Sequence, residues 1–268
     1  MDIKKYTEAN REAWNEVTPI HRKARRVDLK EAFRKKGFST LDDIVTLKFK
    51  ELGIADKNVA QVCCNNGREL LSMLNLGAVS GVGFDISDEA IAEACELAEI
   101  SGLNGHFVRT DIYDIGPEYN AAFDLIYISI GALPWMPDLE RFFTVVAGML
   151  KSGGFLVIYE QHPLVYMLAL QGDKEFDKAE PARLVHSYFR EEPWVENTGI
   201  DYIGKSRYSS KTMYNFTQPL YKIMNAIIRN GITITEFNEY AHDISSEFEH
   251  LLDNGKLPLS CLLICRKE

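Results

Sequence analysis

The residues of this 268-residue chain best placed to do chemistry are those that close its apolar runs. Asp85 ends VSGVGFD, Asp111 follows HFVRT, Ser129 ends FDLIYIS, and Glu160 and His162 end FLVIYEQH. A carboxylate at such a place can accept both hydrogen bonds of a ribose diol, and Asp85 stands eighteen residues beyond Gly67, the spacing that this role favours. An imidazole titrates near neutrality, so His162 is the candidate general base; its rival reading is a hydrogen-bonded structural histidine before Pro163. The first apolar run, VAQVCC, leads into NNGREL, where a nucleotide-binding fold would place a glycine-rich loop. Only Gly67 is a glycine there, with Cys63, Cys64 and Asn65 before it. A pyrophosphate needs the G-x-G-x-x-G turn to reach the helix N-terminus. A ligand without phosphate needs only close backbone approach and one or two left-handed residues, which asparagine tolerates best among non-glycines. Arg68 opposes the helix macrodipole unless an anion lies beside it, so it is a candidate partner for a ligand carboxylate or else a solvated surface arginine. Asn66 and Glu69 have the spacing of a capping box.

Strands and helices must alternate to bring these residues together. The strands VAQVCC, VSGVGFDIS, HFVRTDI, FDLIYISIG and FLVIYEQH are separated by the helical patterns GRELLSMLNLGA, DEAIAEACELAEISG and LERFFTVVAGMLKSGG. The second helix starts on a Ser87 or Asp88 cap and stops at Gly102. Such alternation implies right-handed crossovers and a parallel sheet covered by helices on both faces, with those strand ends lining one crevice. Residues before about Lys36 read as helical, and Leu41 to Leu52 as a second amphipathic helix. Residues 163–218 break the rhythm with many aromatics and no long helical pattern, as an insertion within one domain would. A helix, PLYKIMNAIIRNG, then precedes the strands ITITEFNEY and LPLSCLLICRK, which close the chain as an antiparallel edge.

The order VAQVCCNNGRELL, VGFDIS, FVRTDIYD, FDLIYIS and LKSGGFLVI resembles the class I S-adenosylmethionine-dependent methyltransferases. Cys64 matches the cysteine of the family's first motif and Gly67 its last glycine, while Cys63 and Asn65 replace the first two glycines and Gln61 the acidic residue. NREAWNEVTPIH and EQHPLVYML are similar to a small-molecule branch of the family. The resemblance implies a Rossmann-like, doubly wound, mostly parallel seven-stranded α/β sheet with an antiparallel C-terminal strand, helices on both faces, and S-adenosyl-L-methionine as cofactor. It further implies that backbone around Cys64, Asn65 and Gly67 meets the methionine end, with Asp85 on the ribose and Ile86 against the adenine. Asp111 would accept from the adenine amino group, Ile112 would lie on the ring's other face, and the Ser129 carbonyl would approach the cofactor's amino group. Asp111 has a rival reading as a turn residue.

One domain over residues 1–268 is expected, with 1–52 as a helical lid and the 163–218 insertion as a substrate cap. Tyr6 and Trp14 would contribute to the lid; Trp135, with Met136, Tyr166, Tyr188 and Trp194, would roof the acceptor. The alternative for these aromatics is a satellite core or dimer contact. Charge and composition narrow the partners. A net charge of −9 argues against a broad nucleic-acid surface, and HRKARR at His21 to Arg26 reads as a solvated helix face. SIGAL at the fourth strand end differs from the Asn/Asp-Pro-Pro-aromatic motif of enzymes that methylate exocyclic or amide nitrogens. With no membrane-length apolar run, no signal-peptide pattern and no metal-site cysteine spacing, the expectation is a cytoplasmic monomer or homodimer with reduced, mostly buried thiols and no metal. Its expected activity is methyl transfer to a small-molecule acceptor. A non-catalytic S-adenosylmethionine or S-adenosylhomocysteine binder and an NAD-dependent oxidoreductase are the alternatives.

Overall fold

In the computed structural model, residues 2–251 and 255–268 are described. Seven strands form the main sheet: β1 (Asn58–Val62), β2 (Ser80–Asp85), β3 (Gly105–Arg109), β4 (Phe123–Ile128), β5 (Leu150–Gln161), β8 (Ile232–Tyr240) and β9 (Ser260–Lys267). Their order is β3-β2-β1-β4-β5-β9-β8, and β9 alone runs against its neighbours β5 and β8. The two remaining strands, β6 (Trp194–Glu196) and β7 (Met213–Asn215), pair antiparallel within the insertion.

Alternation along the strands divides the core in two. On one face Val62, Phe84, Ile126, Ile128, Leu156 and Ile158 pack with Phe142 and Phe143 of α6 (Leu139–Met149) and Ile227 of α7 (Leu220–Arg229). On the other, Val59, Leu125, Tyr127 and Val157 pack with Phe49 of α3 (Asp43–Glu51), Leu70 of α4 (Arg68–Asn75) and Leu97 of α5 (Asp88–Ser101). Each such side chain contributes about 1.5–3 kcal/mol by leaving water. Helix α5 begins as expected, with the Ser87 hydroxyl accepting from Ala90 N at 3.2 Å, and ends at Gly102 in the left-handed conformation.

Two boundaries differ from the sequence reading. The N-terminal helix is broken into α1 (Ile3–Ala24) and α2 (Leu29–Phe33), because the Asp28 carboxylate caps the amides of Lys30 and Glu31 and starts a new helix. Helix α6 stops at Met149, and LKSGG belongs to β5. Gly153 is left-handed there, and a Cβ on Gly154 would lie 2.9 Å from Lys151 O and 3.2 Å from Phe123 O, so glycine permits the strand to cross tightly beside β4. All five cysteines are free; Cys64, Cys261 and Cys265 are buried, Cys63 is half-buried and Cys95 is exposed.

Helix α1 crosses the carboxyl ends of β2 and β3 and is fixed by polar pairs. Arg11 Nε donates to Asp88 at 2.8 Å, Asn15 Nδ2 to Asp88 at 2.8 Å, and Arg25 to the buried Glu93 at 2.5 Å. The insertion docks on α1 through Asn10, whose Nδ2 donates to Tyr214 O at 2.8 Å and whose Oδ1 accepts from Tyr214 N at 2.7 Å. It docks on the loop after β4 through Phe216 N to Pro134 O and Gln218 Nε2 to Met136 O, both at 2.7 Å.

Candidate functional site

The strand order reverses between β1 and β4, which opens a crevice at their carboxyl ends. The loop after β1 has three left-handed residues, Cys63 (φ 54°), Asn65 (φ 49°) and Gly67 (φ 71°). The two substituted positions therefore adopt glycine-like backbone. Asn65 is the residue expected to do so; for Cys63 the sequence carried no such sign. Asp85 fixes this loop: its Oδ2 accepts from Asn65 N at 2.8 Å and its Oδ1 from Ser87 N at 2.9 Å. Burial raises the Asp85 pKa, with the backbone amides pulling it back. Beneath the loop lies the Phe107 ring, 2.4 Å from where a Gly67 Cβ would stand.

The capping box does not form. Gly67 is the N-cap of α4 and makes no side-chain cap bond, while Glu69 turns to the end of β1. Its Oε2 accepts from Gln61 Nε2 at 2.7 Å, and that nitrogen is also 3.0 Å from Ser129 Oγ. Gln61 Oε1 and Asn66 Nδ2 are left buried without a hydrogen-bond partner. Orphaned buried polar atoms are rare, and a ligand is one reason for them. Arg68, half-buried beside them, makes no ion pair among the described residues.

At the end of β3, buried Asp111 fills its turn role, accepting from Tyr113 N at 3.1 Å, and also accepts from Lys4 Nζ of α1 at 2.8 Å. Lys4 bonds Asp114 as well. Ile86 is half-buried, and Ile112 is buried in the core beside Val62 and Phe84. The Ser129 carbonyl accepts from Ala132 N at 3.3 Å.

Above the crevice the Trp14 and Trp135 rings meet edge-on with centroids 5.5 Å apart. Tyr6 packs against Tyr214 at 5.0 Å and Phe216 at 5.3 Å. The other three aromatics pack elsewhere: Tyr166 against the segment before β9, Tyr188 against the start of α7, and Trp194 within the insertion. Tyr166 packs on the Val165, Phe248 and Leu251 cluster, Tyr188 OH accepts from Leu220 N at 2.8 Å, and Trp194 Nε1 donates to Thr217 Oγ1 at 3.1 Å.

Glu160 and His162 have different surroundings. The Glu160 carboxylate accepts from Gly131 N (2.6 Å), Ala132 N (3.0 Å), Leu133 N (3.2 Å) and Gln161 N (2.9 Å), and so holds the loop that carries Trp135. Burial raises its pKa to about 7 against the pull of those four amides. His162 is buried; its Nδ1 accepts from Leu164 N at 3.1 Å, and its Nε2 is 3.0 Å from Glu239 Oε1 of β8. Burial lowers its pKa. Sequence reasoning marked Gln61 as a departure and Glu160 as a strand-end acid, but missed the Gln61–Glu69 pair and Lys4, which reaches Asp111 only through tertiary packing.

Comparisons with known proteins agree with this geometry. Residues 59–154 match the family model described as Methyltransferase domain. The tRNA U34 carboxymethyltransferase of Campylobacter fetus is 34% identical over 114 residues, 40% of this chain and 37% of that protein. The ribosomal protein L11 methyltransferase of Hamiltonella defensa is 27% identical over 150 residues, 56% of this chain and 45% of that protein. The chain thus spans less than half the length of these curated relatives. Among solved structures, an S-adenosylmethionine-dependent methyltransferase from Mesorhizobium loti shares the fold, with TM-score 0.59 and 22% identity over 82% of this chain and 97% of the other. Residues 59–154, which carry the crevice, thus match a methyltransferase domain, and the seven-stranded fold is shared with a solved S-adenosylmethionine-dependent methyltransferase.

Proposed function

We propose that this chain transfers a methyl group from S-adenosylmethionine to a small-molecule acceptor. The observation that carries the small-acceptor reading is the aromatic roof, in which Trp14 of α1 meets Trp135 of the β4 loop and Tyr6 meets Tyr214 and Phe216 of the insertion. Such walls enclose an apolar or planar acceptor and exclude water from the transfer. The adjoining basic residues support the same reading, because they are matched by carboxylates of α5. Arg22 and Arg25 face Glu93, Lys30 faces Glu96, and Arg11 faces Asp88. A phosphate-binding face would need such cations free. In this reading α1, within residues 1–52, is the lid, and the 163–218 insertion supplies the cap. No described helix is long and apolar enough to cross a membrane, in keeping with a cytoplasmic place of action.

When bound, the cofactor supplies an electrophilic methyl group on a sulfonium. The residues present fit its amino-acid end: Gln61 Oε1 is an acceptor for the ammonium group, and Asn66 Nδ2 and Arg68 are donors for the carboxylate. Asp85 is proposed to hold the ribose, and Asp111 to accept from adenine once Lys4 yields. Backbone at Cys64, Asn65 and Gly67 passes beside the methionine, Ile86 and Ile112 flank the adenine, and the Ser129 carbonyl faces the amino group. Orientation supplies much of the acceleration for an in-line displacement. For an acceptor that must lose a proton, His162 is the proposed base, which requires its bond from Leu164 N to open. That occupied lone pair also favours a second reading, a non-catalytic binder of S-adenosylmethionine or S-adenosylhomocysteine.

Thermal shifts with S-adenosylmethionine, S-adenosylhomocysteine and NAD test the cofactor, since a specific ligand stabilises by mass action. Release of S-adenosylhomocysteine with a small-molecule library, with tRNA and with ribosomal protein then tests the acceptor. Turnover only on a macromolecule would overturn the small-molecule reading, binding without any turnover would favour the second one, and stabilisation by NAD alone would overturn both. Full turnover by His162→Ala would remove the base role.

A further inference from the structure

The orientation of one buried amide decides what the crevice can hold at the end of β1. Gln61 is 1% exposed, and its Nε2 donates to Glu69 Oε2 at 2.7 Å and lies 3.0 Å from Ser129 Oγ. A carboxylate only accepts, so Glu69 fixes which end of the Gln61 amide is the nitrogen. Both N–H groups are then occupied, and the amide oxygen Oε1 is left as a buried acceptor with no hydrogen-bond partner. At the far side of the same loop Asn66 is 2% exposed, and its Nδ2 is a buried donor with no partner. Beside it Arg68, half-buried, makes no ion pair among the described residues. One loop thus presents an acceptor backed by a carboxylate and a donor flanked by a guanidinium. The complement of that pair is a zwitterion, its ammonium at Gln61 and its carboxylate at Asn66. A ligand of this kind recovers the cost of leaving both atoms unpaired.

We propose that Glu69 is a positioning residue for the amino-acid end of the cofactor. Its carboxylate holds the Gln61 amide so that the oxygen, not the NH2, meets the ammonium group. It also sets a negative charge one hydrogen bond behind that oxygen, which strengthens the bond to a cation. Without the charge the amide is free to turn, and its NH2 would then face the ammonium, donor against donor. The inference rests on the methyltransferase reading and adds to it a residue of α4 that acts through Gln61.

The test compares three ligands by calorimetry on the full chain: S-adenosylhomocysteine, its desamino analogue, which keeps the carboxylate, and 5′-methylthioadenosine, which lacks the amino-acid tail. Glu69→Gln keeps the size of the side chain and removes the charge. It is expected to weaken S-adenosylhomocysteine about tenfold, the usual size of a lost charge-assisted hydrogen bond, and to leave 5′-methylthioadenosine unchanged. Gln61→Glu combined with Glu69→Gln exchanges the two side chains, returns one carboxylate to the pair, and is expected to recover most of the affinity. The native protein is expected to bind the desamino analogue about tenfold more weakly than S-adenosylhomocysteine. Unchanged S-adenosylhomocysteine affinity in Glu69→Gln, equal loss for S-adenosylhomocysteine and 5′-methylthioadenosine, or no recovery in the exchanged pair overturns the positioning role. Equal affinity of the native protein for S-adenosylhomocysteine and its desamino analogue overturns the placement of the ammonium at Gln61. A native protein that binds none of the three overturns the methyltransferase reading itself.

Discussion

Gln61 Nε2 donates to Glu69 Oε2 at 2.7 Å, so a carboxylate in the first turn of α4 stands beside the position where the first motif of the class I methyltransferases carries its acid. The negative charge has moved from strand to helix, with a neutral amide between it and the crevice. Gln61→Glu would restore the family residue and set two carboxylates against each other. Like charges at that distance cannot both ionise, so one pKa rises. A carboxylate with a raised folded pKa loses stability as pH rises from its unfolded value through the folded one. The variant is expected to melt about 5 °C below the native protein at pH 7.5, for about 2 kcal/mol, and to converge with it near pH 4. Melting curves across that range check it; a constant difference would mean the pair does not interact.

Glu160 gives the native chain a pH dependence of its own. Its folded pKa of about 7 exceeds the ordinary glutamate value of 4.5, so the folded state holds the proton more tightly between those values. Its contribution to stability is full below pH 4.5 and lost as pH rises to about 7. Glu160→Gln should flatten that slope. It should also lower stability by about 2 kcal/mol at any pH, because an amide NH2 would face either the Gly131 and Gln161 donors on one oxygen's site or the Ala132 and Leu133 donors on the other's. Denaturant midpoints at pH 5 and pH 8 measure both effects.

The Phe107 ring makes glycine necessary at two places in the crevice floor. A Cβ on Gly83 would stand 2.5 Å from Phe107 Cδ1 and 2.8 Å from Cys64 Sγ. Gly83→Ala is expected to cost about 2 kcal/mol by overpacking, and Phe107→Leu in the same chain to recover part of it. A double-mutant cycle in urea reads the coupling, and strict additivity would show that the ring does not set the limit.

Cys63 carries the loop's backbone strain. A non-glycine residue at φ 54° costs about 1–2 kcal/mol, and a β-branched one more. Cys63→Gly should leave the melting temperature within about 3 °C, strain relief offsetting added chain entropy, whereas Cys63→Val should lower it clearly. Equal behaviour of the two variants would show that the backbone at this position relaxes freely.

Periodicity and strand-end position made much of this legible in the sequence. The parallel strands, the Ser87 cap and the reversed last strand follow from local patterns, and the order of motifs from Gly67 to Ser129 places the crevice. The turn made by Asp28 and the tight crossing at Gly154 were missed because each depends on a few bonds that compete with a helical pattern. The contacts of Lys4 and His21 were invisible for another reason. Lys4 is 107 residues from Asp111, and His21 is 179 from Ile200, and only packing brings them together. The aromatics of 163–218 were read as one roof; Tyr166 packs on Phe248 and Leu251, Tyr188 bonds the first residue of α7, and Trp194 bonds Thr217.

Asn10 bonds both backbone groups of Tyr214, which has a kinetic consequence. Helix α1 and strand β7 cannot part without exposing two polar pairs at once, so they travel together. Admission of any molecule beneath them is then a hinge motion of one body, in the microsecond-to-millisecond range rather than the nanosecond flicker of free side chains. The exchange rate of the Asn10 side-chain amide would report that motion from within.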